Sequence, residues 1–487
     1  MKLLYIKNKI TKLKNTDIFE ALKHSKNYFS ANIATQALGF ISIPIFTRLF
    51  TQEDYGIIAL FTSYVGIMTI VLSLSSYTAV GRYYYEKTDD FGEFIGTNII
   101  FTGLILSVTI FIYILFYQQI INLMKLPNLL PIFLIFVCLF EIIKSIYLQI
   151  LIPQKKSKEY VIINVINGYL DFAIAVLFVY LLKENRYLGK IWANILVGFV
   201  FTIYFIARLS KYSKLSFKIE YIKYIVSYSF PLIPYFLSGI ILAQFDRIMI
   251  NNIIDAKSTG LYSLGYNIGM LLLIIIGAMQ KARDPFIYRY LDNNKYDSLD
   301  SLMVKTFSIV LICALGLILF AKEVIIILAD KKFYEGLCVI PFVVIGYIFY
   351  EMSSLVGIFI RYTKKTILQS ITVLFAGALN IILNKIFIPK YGYIAAAYTT
   401  TISYFIMFLL TFIVVKYFLK KRVTPPLWLL WKPTLIMFGF IAAAYSLGGL
   451  GLNTILFICI KIIFLGIFSI IVLHKEIKSV FTLLKVD

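Results

Sequence analysis

Charge is scarce in this 487-residue sequence: Asp, Glu, Lys and Arg make up only 15% of it, where a soluble domain carries about a quarter. Hydrophobic residues reach 60% and the mean hydropathy is +0.86, which excludes an ordinary soluble globule. Long polar stretches are missing as well. The longest connection between apolar runs covers 281–301, too short for an extramembrane catalytic domain. Histidine occurs twice, as His24 and His474, both in the tails, so histidine-based catalysis within the membrane has no candidate. The four cysteines, Cys138, Cys313, Cys338 and Cys459, sit inside apolar runs without paired spacing, which argues against disulfides and a metal site. No cofactor is expected. The N-terminal MKLLYIKNKITKLKN is basic and polar for too long to read as a signal peptide, and no small-residue cleavage site follows. The first helix is therefore expected to be retained.

What is present is a succession of runs of roughly twenty apolar residues, each long enough to cross roughly 30 Å of hydrocarbon. They predict an all-α membrane protein of about fourteen transmembrane helices. The spans lie near 27–49, 55–76, 94–116, 129–151, 160–182, 188–209, 225–249, 258–280, 302–324, 337–360, 366–388, 392–415, 427–449 and 453–473. A net charge of +22 would point to nucleic acid in a soluble protein. Here the basic residues lie between spans, and no nucleic-acid partner is expected. Most of the 47 lysines and arginines fall on one side when the N-terminus is placed inside, as in PQKKSKE (153–159) and KYFLKKR (416–422). TQED (51–54) and SLGGLGLN (446–453) then face outward. The positive-inside rule thus predicts cytoplasmic termini and an even span count.

The chain also repeats itself. Phe140-Glu141, QKK (154–156) and NGYLDFAIAVLF (167–178) match Tyr350-Glu351, TKK (363–365) and AGALNIILNKIF (376–387), with Gly168 on Gly377 and Asp171 on Asn380. FTRLFTQEDYGIIAL (46–60) matches FDRIMINNIIDAKSTGLYSL (245–264) more weakly, with Arg48 opposite Arg247 and Gly56 opposite Gly260. Each unit holds six helices, an even number, so the halves share one orientation about a pseudo-two-fold axis along the membrane normal. Such parallel repeats recur in secondary transporters, with substrate between the halves. The expected organisation is a basic segment 1–26, a first lobe 27–209, a basic linker 210–224 and a second lobe 225–415. Helices 13 and 14 over 427–473 and a tail 474–487 complete it.

Ionisable groups deep in a span cost several kcal/mol and are functional candidates by default. Glu141 lies mid-span with Lys144 one turn on, Asp171 is central in span 5, and Glu351 has Glu141's depth in span 10. A carboxylate in low dielectric tends to hold a proton, so this set is the candidate for ion coupling. The competing reading of Glu141–Lys144 is a structural ion pair. A second set is cationic: Arg48 and Arg247 near the outer ends of spans 1 and 7, and Arg82, Lys281 and Arg283 at the inner ends of spans 2 and 8. Arginine forks suit phosphate oxygens, whereas a single terminal arginine also fits interfacial snorkelling. Asn32 and Gln36 on span 1, with Asn164 and Asn167 on span 5, are candidates to line a wet cleft; helix–helix hydrogen bonding is the alternative. Lys461 is mid-span in the last helix without an assigned role. Tyr83-Tyr84-Tyr85 and the other aromatics fit interfacial belts better than a sugar platform. Pro44, Pro231 and Pro234 are placed to bend the repeat-equivalent spans 1 and 7.

Two segments carry a family resemblance. SIPIFTRLFTQEDYGIIALFTSYVGI (42–67) resembles the first two helices of bacterial polysaccharide-export proteins of the Wzx type, and GALNIILNKIFIPKYGYIAAAYTT (377–400) resembles their helix 11–12 segment. That family belongs to the multidrug/oligosaccharidyl-lipid/polysaccharide exporter superfamily. The resemblance implies a V-shaped pair of six-helix bundles around a cationic cavity. The implied activity is that of a transporter, not an enzyme, which flips undecaprenyl-pyrophosphate-linked oligosaccharides across the bacterial inner membrane for O-antigen or capsule assembly. Its implied partners are that lipid-linked substrate, membrane lipid, a proton or sodium ion, and a polysaccharide polymerase and chain-length regulator. A peptidoglycan-precursor flippase and a multidrug antiporter are the alternatives within the superfamily. A polymerase, ligase or membrane glycosyltransferase would need a large outer loop or an acidic metal-binding loop, which the short connections lack.

The topology is open to direct measurement. With the native cysteines replaced, a cysteine in 153–159 should react with an impermeant maleimide only after the membrane is opened. One in 446–453 should react in sealed cells; the reverse pattern inverts the assignment.

Overall fold

The computed structural model describes residues 34–86, 89–127, 129–450 and 453–484. Among the described residues there is no strand, and thirteen helices are long and apolar enough to cross a membrane. They run Gln52–Ser73, Phe91–Leu115, Leu130–Leu151, Ser157–Leu181, Tyr187–Tyr212, Ile219–Ile253, Ala256–Asp284, Tyr296–Leu319, Lys331–Val356, Thr366–Tyr391, Ile394–Phe418, Leu427–Gly448 and Thr454–Leu473. These are spans 2–14 of the sequence reading, with ends displaced by a few residues. Span 1 appears as a helix over 34–49; its expected start at 27 lies outside the described residues. The chain is a multi-pass membrane protein.

Two compact units divide after Ile240. In the first, the turn TQED is fixed by a capping box: Asp54 N–H donates to Thr51 Oγ1 at 3.0 Å, and Thr51 N–H donates to Asp54 Oδ2 at 3.0 Å. These bonds satisfy donors that a helix start otherwise leaves bare. Phe46 and Phe50 stack at 5.0 Å and pack with Ala175, Val179 and Ala193. Small residues bring spans 5 and 6 together: a Cβ on Gly189 would stand 2.7 Å from the Val179 backbone nitrogen. A Cβ on Gly198 would collide with the Phe140 ring. In lipid, where apolar burial between helices gains little, such close backbone contact supplies much of the association energy.

Span 7 is irregular. A 3-10 turn at Phe230–Leu232, bearing Pro231, and a π turn at Ile241–Phe245 interrupt it. Proline removes a helical donor and crowds the preceding turn, and a π turn marks an inserted residue. The boundary between the units falls at this π turn.

In the second unit Gly265 faces Gly336, whose carbonyl oxygen a Cβ at Gly265 would hit. Spans 13 and 14 pack on span 9, with Leu465 against Gly316. Lys461, without a role in the sequence reading, is 4% exposed, and its Nζ donates to Glu323 Oε1 and Oε2 at 2.7 and 3.0 Å. The Phe457 ring lies 4.6 Å from the same ammonium. An ion pair reinforced by an aromatic face thus holds span 14 to the short helix Ala321–Leu328. Glu323→Ala, which strands the ammonium, should destabilise the solubilised protein by about 1–3 kcal/mol. Lys461→Leu should do less harm; thermal unfolding of both variants in detergent checks the order.

Candidate functional site

The second unit contains a polar cluster that the sequence reading passed over. Asp246 opens the helix Asp246–Ile253 and is fully buried. Its carboxylate accepts from Tyr262 Oη at 2.5 Å, Asn384 Nδ2 at 2.6 Å and Thr400 Oγ1 at 2.6 Å. Asn384 also donates to Asn380 Oδ1 at 3.1 Å, Asn380 donates to Thr400 Oγ1 at 3.0 Å, and Thr399 donates to Asn384. Hydrogen bonds join four spans (7, 8, 11 and 12) here. The signals were weak but present. The arginine alignment puts Thr47 opposite Asp246, so this carboxylate belongs to the second repeat only, and Asn384 follows Asn380 by one helical turn on the same face. Next to Asp246, Arg247 is 7% exposed; its Nη1 donates to the Ala243 carbonyl at 2.8 Å, and its guanidinium lies over Tyr266 at 4.7 Å.

A second site in this unit joins two residues singled out from sequence. Arg283 Nη1 donates to Glu351 Oε1 at 2.5 Å, with both side chains fully buried. Gln280 Nε2 donates to Glu351 Oε2 at 2.8 Å and to Ser354 Oγ at 3.1 Å. Arg361 donates to the Ser354 carbonyl at 3.0 Å. Arg283 stands at the end of span 8, Ala256–Asp284, as expected, while its helix, Leu271–Asp292, continues beyond it. Its Nε and Nη2, which share one edge of the guanidinium, have no protein partner. A buried N–H without an acceptor is expensive, so this edge is a two-pronged donor enclosed by protein and left unsatisfied. Lys281 is exposed.

In the first unit the candidates form separate pairs. Lys190 Nζ donates to Asp171 Oδ2 at 2.5 Å, and the Asn194 amide reaches Asp171 Oδ1 at 2.5 Å when its donor end is turned to the carboxylate. Lys144 donates to Glu141 at 2.9 and 3.0 Å, the local ion pair weighed from the sequence. Asn164 donates to its own helix at the Tyr160 carbonyl, 2.8 Å. Arg48 is exposed and folds onto the Pro44 carbonyl at 2.6 Å. Arg82 is exposed and donates to Glu86 Oε1 at 2.6 Å. Gln36 is exposed, and Asn32 lies outside the described residues. Tyr83 departs from the belt reading: it is buried, stacks on Phe94 at 3.8 Å, and its hydroxyl donates to Asp90 at 3.4 Å. Burial, and then the Asp90 carboxylate, push that hydroxyl above the ordinary tyrosine range, so it stays a donor. Among the described residues no group of three or more His, Cys, Asp or Glu side chains is placed to hold a metal ion.

Known proteins share this plan. The fold matches a solved structure of the lipid II flippase MurJ in an inward closed conformation, with a TM-score of 0.71 at 19% identity over 92% of this chain and 99% of that one. It also matches an inward-facing multidrug-resistance MATE transporter of the MOP superfamily, at 0.64 and 14% identity over 78% and 93%. Both of these proteins, one a flippase and one a multidrug transporter by name, have the all-helical membrane fold seen here. Residues 22–291 match the polysaccharide biosynthesis protein family, and with more than half its length matched the chain belongs to that family. Among curated relatives, Lsg locus protein 1 of Haemophilus influenzae is 26% identical over 57% of this chain and 68% of its own length. A Haloferax volcanii protein named as a low-salt glycan biosynthesis flippase, Agl15, is 21% identical over 78% and 80%.

The Asp246 cluster can be tested for cooperation. Tyr262→Phe removes one donor and should lower stability by about 1–3 kcal/mol. Asp246→Asn sets an amide against three existing donors and should cost at least as much. The double variant should lose less than the sum, since both changes touch one network; full additivity in thermal unfolding would dissolve the network.

Proposed function

We propose that this protein flips undecaprenyl-pyrophosphate-linked oligosaccharides across the cytoplasmic membrane, for assembly of a surface polysaccharide such as O-antigen or capsule. Family membership and the flippase relatives support the transport class. The observation that carries the substrate chemistry is the unpartnered Nε/Nη2 edge of the buried Arg283. Two parallel N–H donors match two oxygens of a phosphate, and exclusion of water strengthens the contact. Glu351 holds the guanidinium through Nη1, and Gln280 in turn holds Glu351, which leaves the other edge without a protein partner. The sugars travel with the pyrophosphate while the polyprenyl chain remains in lipid.

Coupling to a proton or sodium ion belongs to the same proposal, and Asp246 supports it better than the carboxylates chosen from sequence. Glu141, Asp171 and Glu351 each hold a cationic partner. Asp246 accepts from neutral side chains, and exchange of a monovalent cation there changes the net charge of a buried network. The proposed orientation has both termini in the cytoplasm.

Loss of Arg283 alone would strand Glu351, so the test uses Arg283→Gln/Glu351→Gln, which removes both charges and keeps two amides able to pair. In proteoliposomes the double variant should translocate the lipid-linked oligosaccharide about tenfold to a hundredfold more slowly than the parent, the loss of a charge-assisted fork. Its abundance in the membrane should be preserved. Translocation at the parental rate refutes the anion site.

A further inference from the structure

We propose that the first unit grips a sugar residue of the transported lipid in a pocket at the Arg82–Glu86 end of span 2, an inference that rests on the flippase reading. The pocket has a volume of about 460 Å³, within the range of small-molecule sites. Three stretches distant in sequence build it: the helix Tyr77–Glu86, the end of span 4 at Gln149 and Pro153, and Tyr228 from the start of span 7.

Its polar groups are set in place by the protein. Glu86 Oε1 accepts from Arg82 Nε at 2.6 Å and Glu86 Oε2 accepts from Tyr224 Oη at 2.7 Å. The Arg82 guanidinium lies 5.1 Å from the centre of the Tyr228 ring. Gly81 completes the fit. A Cβ there would stand 2.9 Å from Gln149 Oε1, so glycine lets this helix seat against the Gln149 amide.

Charge decides between the ligands that such a pocket admits. Arg82 is neutralised by Glu86 within the site, which removes the attraction for a phosphate and sets a carboxylate in its path. What remains is a donor, an acceptor and an amide side by side. Each sugar hydroxyl is both donor and acceptor, and a vicinal diol pairs with planar groups that offer two contacts at once. Tyr85 lines the same pocket and is 74% exposed, a ring face free to cover the C–H side of a pyranose. Ile152 and Pro153 supply further apolar wall.

The experiment uses the full chain in nanodiscs and two probes. One is sugar-free undecaprenyl pyrophosphate; the other is the polyprenyl-pyrophosphate oligosaccharide fraction extracted from the source cell. Native mass spectrometry gives the affinity of each. The parent should hold the glycosylated probe about tenfold tighter than the sugar-free one, the increment of a few neutral hydrogen bonds. Gln149→Ala, and independently Gly81→Leu, should bring the glycosylated probe down to the affinity of the sugar-free lipid. Arg283→Gln/Glu351→Gln should weaken both probes alike. A sugar preference that survives in both pocket variants overturns the sugar site and leaves the flippase reading intact. A pocket variant that weakens the sugar-free lipid as much as the glycosylated one marks a phosphate contact, and also overturns it. If the parent retains neither lipid, the flippase reading falls and takes this inference with it.

Discussion

A charged or hydrogen-bonding group taken into a helical bundle that is itself surrounded by hydrocarbon depends on the protein, or on what the protein binds, for its partners, because hydrocarbon offers none. That constraint organises the described structure. Asp246 draws in donors from three further spans, Glu351 takes Arg283 and Gln280, and Lys461 takes Glu323. Most of these contacts join residues far apart in sequence, and so fix which spans lie side by side. Between helices whose apolar faces are interchangeable with lipid, these polar joints and the close glycine contacts at Gly189, Gly198 and Gly265 supply most of the specificity.

The two repeats meet the same constraint in different ways. Span 5 of the first unit carries Asp171, paired with Lys190 of span 6. The matching position in span 11 is Asn380, and the carboxylate has moved to Asp246 on span 7, where the first repeat has Thr47. Both units thus keep one acid at a comparable junction of helices, but only the first neutralises it with a lysine.

The helices were readable because a bilayer imposes a length and a polarity that a composition window detects without knowledge of packing. The observed ends differ from the expected ones by a few residues, as at Ile219–Ile253 against 225–249, since helices continue past the hydrocarbon wherever capping groups and tertiary contacts allow. Glu351, Arg283 and Asp171 were legible as candidates because a charge inside an apolar run stands out. Their partners were not. Arg283 and Glu351 are separated by 68 positions, and nothing in either helix announces the other. Asp246 escaped notice because it sits beside Arg247, where an acid next to a base reads as ordinary amphipathic punctuation. Tyr83 was read with its neighbours as one aromatic belt, whereas helical geometry turns Tyr83 inward onto Phe94 and Tyr85 outward.

The Glu323–Lys461 joint bears on how the chain is made. A ribosome delivers Glu323 to the membrane long before Lys461, so the acid is already waiting when the final span emerges. That span is the most apolar of the thirteen, which offsets the cost of bringing a lysine into the bilayer. Order of synthesis thus makes the last helix a clasp that closes on an acid delivered ahead of it.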